Sequence, residues 1–237
     1  MSQPPERALT ARMADLARAV APPRPAIEVF GEVTAAAVEL IPGVDTAGIL
    51  LIGENDEFDS YAGTSELPSE LDDLQHTLQE GPCMAAALEE LMVRTDDFRA
   101  EPRWPAYAPA VVALGVLSGL SFRLYTHERS SGALNLFGFA PTVWGAEGQM
   151  TGTVLAAHAA AALTAQRHTE DLTTRLLARD RIAQAKGILM ERFGIDDVQA
   201  FDLMQHLAHE SGTPVFDVAR RVIDTRGAAS DDPPTMI

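Results

Sequence analysis

From Ala146 to Phe193 the chain has no proline, and between Gly152 and Gly187 it has no glycine. Those two residue types are the ones that most readily break a helix, so the stretch predicts one continuous helix. About 45 residues at 1.5 Å each make it roughly 68 Å long. A modest domain cannot cover such a helix from end to end, so part of it must find another partner or face water. Apolar or small residues at positions 154, 158, 161, 165, 172 and 176 recur at loosely heptad intervals, as a parallel coiled coil with a second chain requires. Ala161, Ala165, Leu172 and Leu176 are the candidate seam. The mostly polar run Thr164–Arg175 leaves a break near Arg167 as an equal alternative.

The segment before this helix reads as mixed α and β. Leu9, Met13, Leu16 and Val20 recur at helical spacing over residues 5–20, and the run APPRP at 21–25 ends that helix. A second helix is expected over Ala26–Ile41, stopped by Pro42-Gly43. Thr46–Ile52 and Glu57–Ala62 flank the turn sequence GEND and read as a hairpin. Leu67–Leu78 has helical spacing, Pro82 suits the first turn of a further helix, Leu91–Thr95 is a short strand and Trp104–Leu114 a helix. Val116–Tyr125 and Gly132–Phe139 are two more strands around a polar turn. This order predicts an α+β domain on an antiparallel sheet.

After the long helix no strand signal follows. Gly194 is a helix-ending residue. Asp196 and Gln199 have the spacing of a capping box, Gly212 ends that helix, and Thr213-Pro214 is expected to cap and open a last one. The tail GAASDDPPTMI is too small, polar and proline-rich to pack. The expected layout is an N-terminal helix (1–25), an α+β domain (26–165), an all-α three-helix domain (166–226) and a disordered tail (227–237).

The net charge is −16 over 237 residues, unevenly spread. Residues 167–226 hold 9 basic and 10 acidic side chains, a net of −1; the remainder carries −15. An acidic N-terminal part repels nucleic acid, so only the C-terminal part tolerates phosphates. With one cysteine there is no internal disulfide. No apolar run reaches the roughly 18 residues that span a bilayer, and the N-terminus MSQPPERALT lacks the apolar core of a signal peptide. A cytoplasmic protein is expected.

A search for catalysis finds no phosphate-binding glycine loop and no nucleophile elbow. Six histidines form no metal pattern; His206 and His209 share a helix face with no third ligand but Glu210. No catalytic residue, metal site or resident cofactor is expected. Cys83 follows Gly81-Pro82 at a helix start, where backbone amides can lower a thiol's pKa; it is the candidate ligand- or redox-linked residue, although cysteine is also among the most buried residue types. Lys186 is the only lysine against 17 arginines, and a compact ammonium is chemically distinct from a guanidinium.

The run Arg181-Ile182-Ala183-Gln184-Ala185-Lys186-Gly187-Ile188-Leu189-Met190 resembles the signature of the ANTAR domain, and the match continues through Gly194, Ala200-Phe201, Leu203-Met204, Ala208 and Val218-Ala219. The segment 26–165 resembles a GAF domain of the type found before ANTAR domains in actinobacteria. Leu74-Gln75, Glu80-Gly81-Pro82-Cys83, Asp96-Asp97, Arg103-Trp104-Pro105, Gly115-Val116-Leu117-Ser118 and Gly132-Ala133-Leu134-Asn135-Leu136 carry that likeness. The signature of cyclic-nucleotide-binding GAF domains is not visible.

The resemblance implies a GAF-like sensory domain, a long linking helix and a three-helix RNA-binding domain. It implies a signal-responsive transcription antiterminator, a homodimer that grips tandem RNA stem-loops, with neither DNA nor membrane as partner and with an unknown small molecule as a possible GAF ligand. The residues expected at RNA are Arg181, Gln184, Ala185, Lys186, Gly187, Arg220 and Arg221. Many ANTAR domains carry basic residues leading into the last helix, whereas here Gly212–Phe216 is uncharged. The alternative is a small-molecule or redox sensor whose C-terminal helices dock a protein partner.

Overall fold

The computed structural model describes residues 24–53, 57–88, 90–124, 131–142 and 144–228. The helix expected over 5–20, the tips of both expected hairpin turns and the tail beyond residue 228 lie outside them. The chain divides into two compact units at Arg167/His168.

The first unit is built on five strands: β1 (Thr46–Ile52), β2 (Phe58–Tyr61), β3 (Met92–Thr95), β4 (Ser118–Leu124) and β5 (Ser131–Gly138). Their order is β2-β1-β5-β4-β3, with every neighbouring pair antiparallel. β5 is central and reads SGALNLFG, almost wholly buried. A strand covered on both faces needs apolar residues at every position, which is why this run shows no alternation. One face carries Ala47, Ile49, Leu120, Phe122, Leu134 and Leu136, packed with helix α1 (Ala26–Leu40) and with Leu155, Ala159 and Leu163 of helix α5 (Ala146–Phe193). Gly152 lets α5 lie against the sheet: a Cβ there would sit 2.3 Å from the Phe122 ring.

The other face is covered by α2 (Leu67–Leu78), α3 (Pro82–Leu88) and α4 (Tyr107–Ala113) over Leu50, Val93, Ala133 and Phe137. The helix expected from Trp104 starts three residues later. Trp104 precedes Pro105, and a residue before proline is pushed out of the helical region. The Ala106 and Tyr107 amides at the start of α4 donate to the Glu80 carboxylate at 2.9 and 3.1 Å.

In the second unit α5 runs on to Phe193 without a break, so the alternative of an interruption near Arg167 is not realised. Two helices follow, α6 (Asp197–Ser211) and α7 (Val215–Ala228). Both partners of the expected capping box are in place: the Gln199 amide donates to Asp196 at 2.8 Å and the Asp196 amide to the Gln199 side chain at 3.0 Å. Gly212 ends α6 at φ +62°, the left-handed conformation that glycine adopts without a Cβ clash. At α7 the structure corrects the expected cap. The Thr213 hydroxyl accepts from Arg221 at 2.9 Å and pairs with Ser211, while Pro214 takes the cap position, its carbonyl accepting from Val218 at 3.3 Å. α7 also extends to Ala228, past the expected end at Arg226. Ala185, Leu189, Ala200, Met204, Ala208, Val218 and Ala219 form the core that joins the three helices.

Candidate functional sites

In the second unit the expected RNA-contact residues separate into three groups. Ala185 is fully buried in the three-helix core, which corrects its placement at an RNA surface: its methyl faces Met204 and its neighbours, not solvent. Gln184 and Gly187 are exposed. Arg181 and Lys186 are five residues apart, about 140° around a helix of 3.6 residues per turn, and they turn to different neighbours. Lys186 pairs with Asp197 at 2.5 Å and lies 6.0 Å from the Phe201 ring centre, both on α6. Arg181 stands 5.6 Å from the ring centre of Phe216 on α7. Such cation–ring contacts hold a guanidinium while leaving its donors free. On α7, Arg220 is exposed and pairs with Asp217 at 3.4 Å. Arg221 is exposed and donates to Thr213.

The exposed side of α5 carries the candidate seam. Ala161 and Ala165 are exposed, Leu172 is 49% exposed and Leu176 59%. Met150, Val154 and Ala157 are also exposed, three or four residues apart ahead of them. His158, placed in the seam by sequence spacing, is half-buried, so Ala157 replaces it in the exposed set.

In the first unit Cys83 sits at the start of α3 with no exposure. Its amide donates to the Gln75 side chain at 2.9 Å, the Gln75 amide donates to its sulfur, and the thiol donates to Asp72 at 3.5 Å. Burial, reinforced by the nearby Asp72 charge, pushes the thiol's pKa well above its ordinary value. That corrects the expectation of a helix-activated thiolate: loss of solvation outweighs the few amides of a seven-residue helix.

Asp72 is the centre of this cluster. It accepts from Ser60 of β2 at 2.7 Å and from Asn135 of β5 at 3.3 Å. Burial raises its carboxyl to about 7. The Tyr107 hydroxyl, the Ser121 hydroxyl and the Asn135 side-chain carbonyl are buried on this side with no hydrogen-bond partner among the described residues. Ser121 stands directly opposite Asn135 in the β4–β5 pairing, and burial pushes the Tyr107 hydroxyl well above its ordinary pKa. Sequence reasoning passed over this cluster. Its signals are Asp72 and Gln75, three apart on the apolar side of α2 beside Leu71 and Leu74, and Asn135, an amide inside an otherwise apolar strand. Among the described residues no group of three or more His, Cys, Asp or Glu side chains is placed to hold a metal.

Comparison with known proteins agrees with this architecture. A GAF domain model matches residues 24–164 and an ANTAR domain model matches residues 170–223. None of the curated proteins matches. Among solved structures, the GAF domain of a phosphoenolpyruvate-protein phosphotransferase from Coxiella burnetii is similar, at 16% identity and a TM-score of 0.54, over 69% of this chain and 96% of that one. A free methionine-R-sulfoxide reductase from Neisseria meningitidis, solved with its substrate, is similar at 15% identity and a TM-score of 0.54, over 71% of this chain and 96% of that one. Escherichia coli SdiA is similar at 16% identity and a TM-score of 0.51, over 89% and 94%. At these identities the likenesses show the fold alone. GAF and ANTAR domains are both regulatory modules, a sensor and an RNA binder, and with its matched segments in that order the chain belongs to the GAF-domain family as a GAF–ANTAR regulator.

Proposed function

We propose that the protein is a signal-responsive transcription antiterminator that acts as a homodimer on tandem RNA hairpins in the cytoplasm, and that it is a regulator, not an enzyme. The observation that carries this reading is the exposed small and apolar stripe of α5. Met150, Val154, Ala157, Ala161 and Ala165 stand out from the first unit and Leu172 and Leu176 from the second, at helical spacing throughout. A second copy is the partner that such a stripe suits. Pairing two RNA-binding units raises the effective concentration of the second contact once the first is made, so the geometry of the pair becomes a control point. Arg181, Gln184, Lys186, Gly187, Arg220 and Arg221 remain the proposed contacts around the second unit.

The unpartnered Tyr107, Ser121 and Asn135 groups beside Asp72 support a sensory role for the first unit, because a polar ligand would satisfy buried atoms that otherwise lower stability. The high thiol pKa of Cys83 speaks against the redox form of the alternative reading.

The test uses full-length protein and RNAs selected from a pool of paired hairpins with randomised loops, each compared with its single-hairpin half at fixed salt. Paired RNA should bind far more tightly than single. Leu172→Glu with Leu176→Glu should remove that advantage while leaving single-hairpin binding intact. Equal affinity for both RNAs would sink the dimer reading; no RNA binding at all would leave the protein-docking alternative.

A further inference from the structure

A groove of about 420 Å³ opens in the second unit between α5, α6 and α7. Leu189, Leu203, Val218 and Val222 supply its apolar walls. Phe193, the last residue of α5, stands at its edge with more than half its surface exposed. The charged residues lining it are Arg192 and Arg221, on different helices, in a chain of net charge −16. Among the described residues no carboxylate pairs with either of them, and Arg221 spends one of its five N–H donors on Thr213. Ser211 and Thr225 also line the groove. Their hydroxyls donate to the backbone carbonyls of Leu207 and Arg221 at 2.6 Å each; Ser211 then accepts from Thr213, which leaves one oxygen lone pair on Ser211 and two on Thr225 to accept.

We propose that this groove receives one unstacked nucleobase from the loop of an RNA hairpin. This rests on the RNA-binding reading above and adds to it a site that none of the expected contact residues except Arg221 lines. A nucleobase has flat apolar faces, an edge that includes at least one N–H donor, and a phosphate on either side in the chain. The groove answers each: apolar walls and the Phe193 ring for the faces, Ser211 and Thr225 as acceptors for the edge, Arg192 and Arg221 for the flanking phosphates. Its volume lies within the roughly 300–1,000 Å³ of small-ligand pockets. An apolar peptide side chain needs neither guanidinium. Sequence-reading RNA binders stack splayed loop bases on aromatic rings and guanidinium planes.

The experiment uses full-length protein and a hairpin selected from a pool with randomised loops. Phe193→Ala, Arg192→Ala and Arg221→Ala alter exposed side chains, and circular dichroism checks the fold. Each should weaken binding roughly five- to a hundred-fold, the range measured for stacked bases. Removing the base at one loop position should weaken wild type by a similar factor and Phe193→Ala no further. In wild type, 4-thiouridine placed at that position should crosslink to residues 189–193, 203–211 or 218–225. Unchanged affinity in all three variants, or crosslinks only elsewhere, would overturn the groove while leaving RNA binding standing. Loss of self-association in the variants with RNA binding retained would overturn it in favour of a second copy of the chain. If wild type selects no RNA from the pool, the RNA-binding reading falls, and this proposal falls with it.

Discussion

The two units are held by different kinds of core. The first fully buries Trp144, Tyr107, Phe30, Phe98, Phe122 and Phe137 on the two faces of its sheet. In the second, the buried residues that join the helices are four alanines with Leu189, Met204 and Val218, and no aromatic ring is buried among its described residues. Aromatic side chains bury 150–250 Å² each, and burial stabilises by about 25 cal/mol per Å². Alanine contributes little area but lets helices approach closely. The sensory unit rests on this large buried area and holds inside it Asp72 and four buried polar atoms, on Tyr107, Ser121, Asn135 and His158, that have no hydrogen-bond partner among the described residues. The RNA-binding unit is a thin three-helix assembly of the size at which small domains become marginal, and it gains most from anything that binds its folded form.

That contrast can be broken by mutation. Phe122→Ala should destabilise the first unit by about 3–5 kcal/mol, seen as an earlier urea transition while the second unit's amide protection is unchanged. If both units melt together, they are not independently held. Met204→Ala removes the largest fully buried side chain of the second core and should cost about 2–5 kcal/mol, enough to unfold that unit alone. A loss below 1 kcal/mol would show that the alanine core is stronger than its area suggests.

Asp72 offers a sharper probe of the first core. Below its unfolded value of 3.8 the carboxyl is neutral in both states; above it the unfolded carboxyl ionises while the buried one keeps its proton up to about 7. The folded state thus binds more protons in that window, so stability falls as pH rises and levels off above 7. From pH 5 to 8 wild type should lose up to about 3 kcal/mol relative to Asp72→Asn. A gap between their urea midpoints that does not change with pH would contradict this.

Smaller effects sharpen the picture of the second unit. Asp196→Ala removes both the side-chain acceptor of the capping box and its reciprocal geometry, for about 0.5–2 kcal/mol. That is a large share of a marginal domain's stability, and hydrogen exchange in α6 would report it. Lys186→Ala should change stability by less than about 1 kcal/mol, because its partner Asp197 is mostly exposed. Loss of RNA binding in that variant with unchanged thermal unfolding would then mark a contact, not a fold defect.

Most helix and strand segments were legible because they depend on local chemistry. The capping box at Asp196 and Gln199, the stop at Gly212 and the apolar run of β5 each follow from residues a few positions apart. The errors also have local causes: Pro105 delays α4, and Thr213 is claimed by Arg221 eight residues on. The candidate sites were less legible. The family signature put Arg181, Ala185 and Lys186 together at RNA, but only the positions of α6 and α7 decided that Ala185 is core and that the two cations part company.

Taken alone, the sequence determined the two-part organisation, the long helix, the antiparallel class of the sheet and the family to which the chain belongs, because periodicity, capping and turn residues act over short distances. The tertiary structure decided the strand order β2-β1-β5-β4-β3, the meeting of Asp72 with Asn135 sixty-three residues away, the raised pKa of Cys83 and the groove between three helices. Each of these depends on desolvation and on contacts between segments distant in the chain, and neither is written in any window of neighbouring residues.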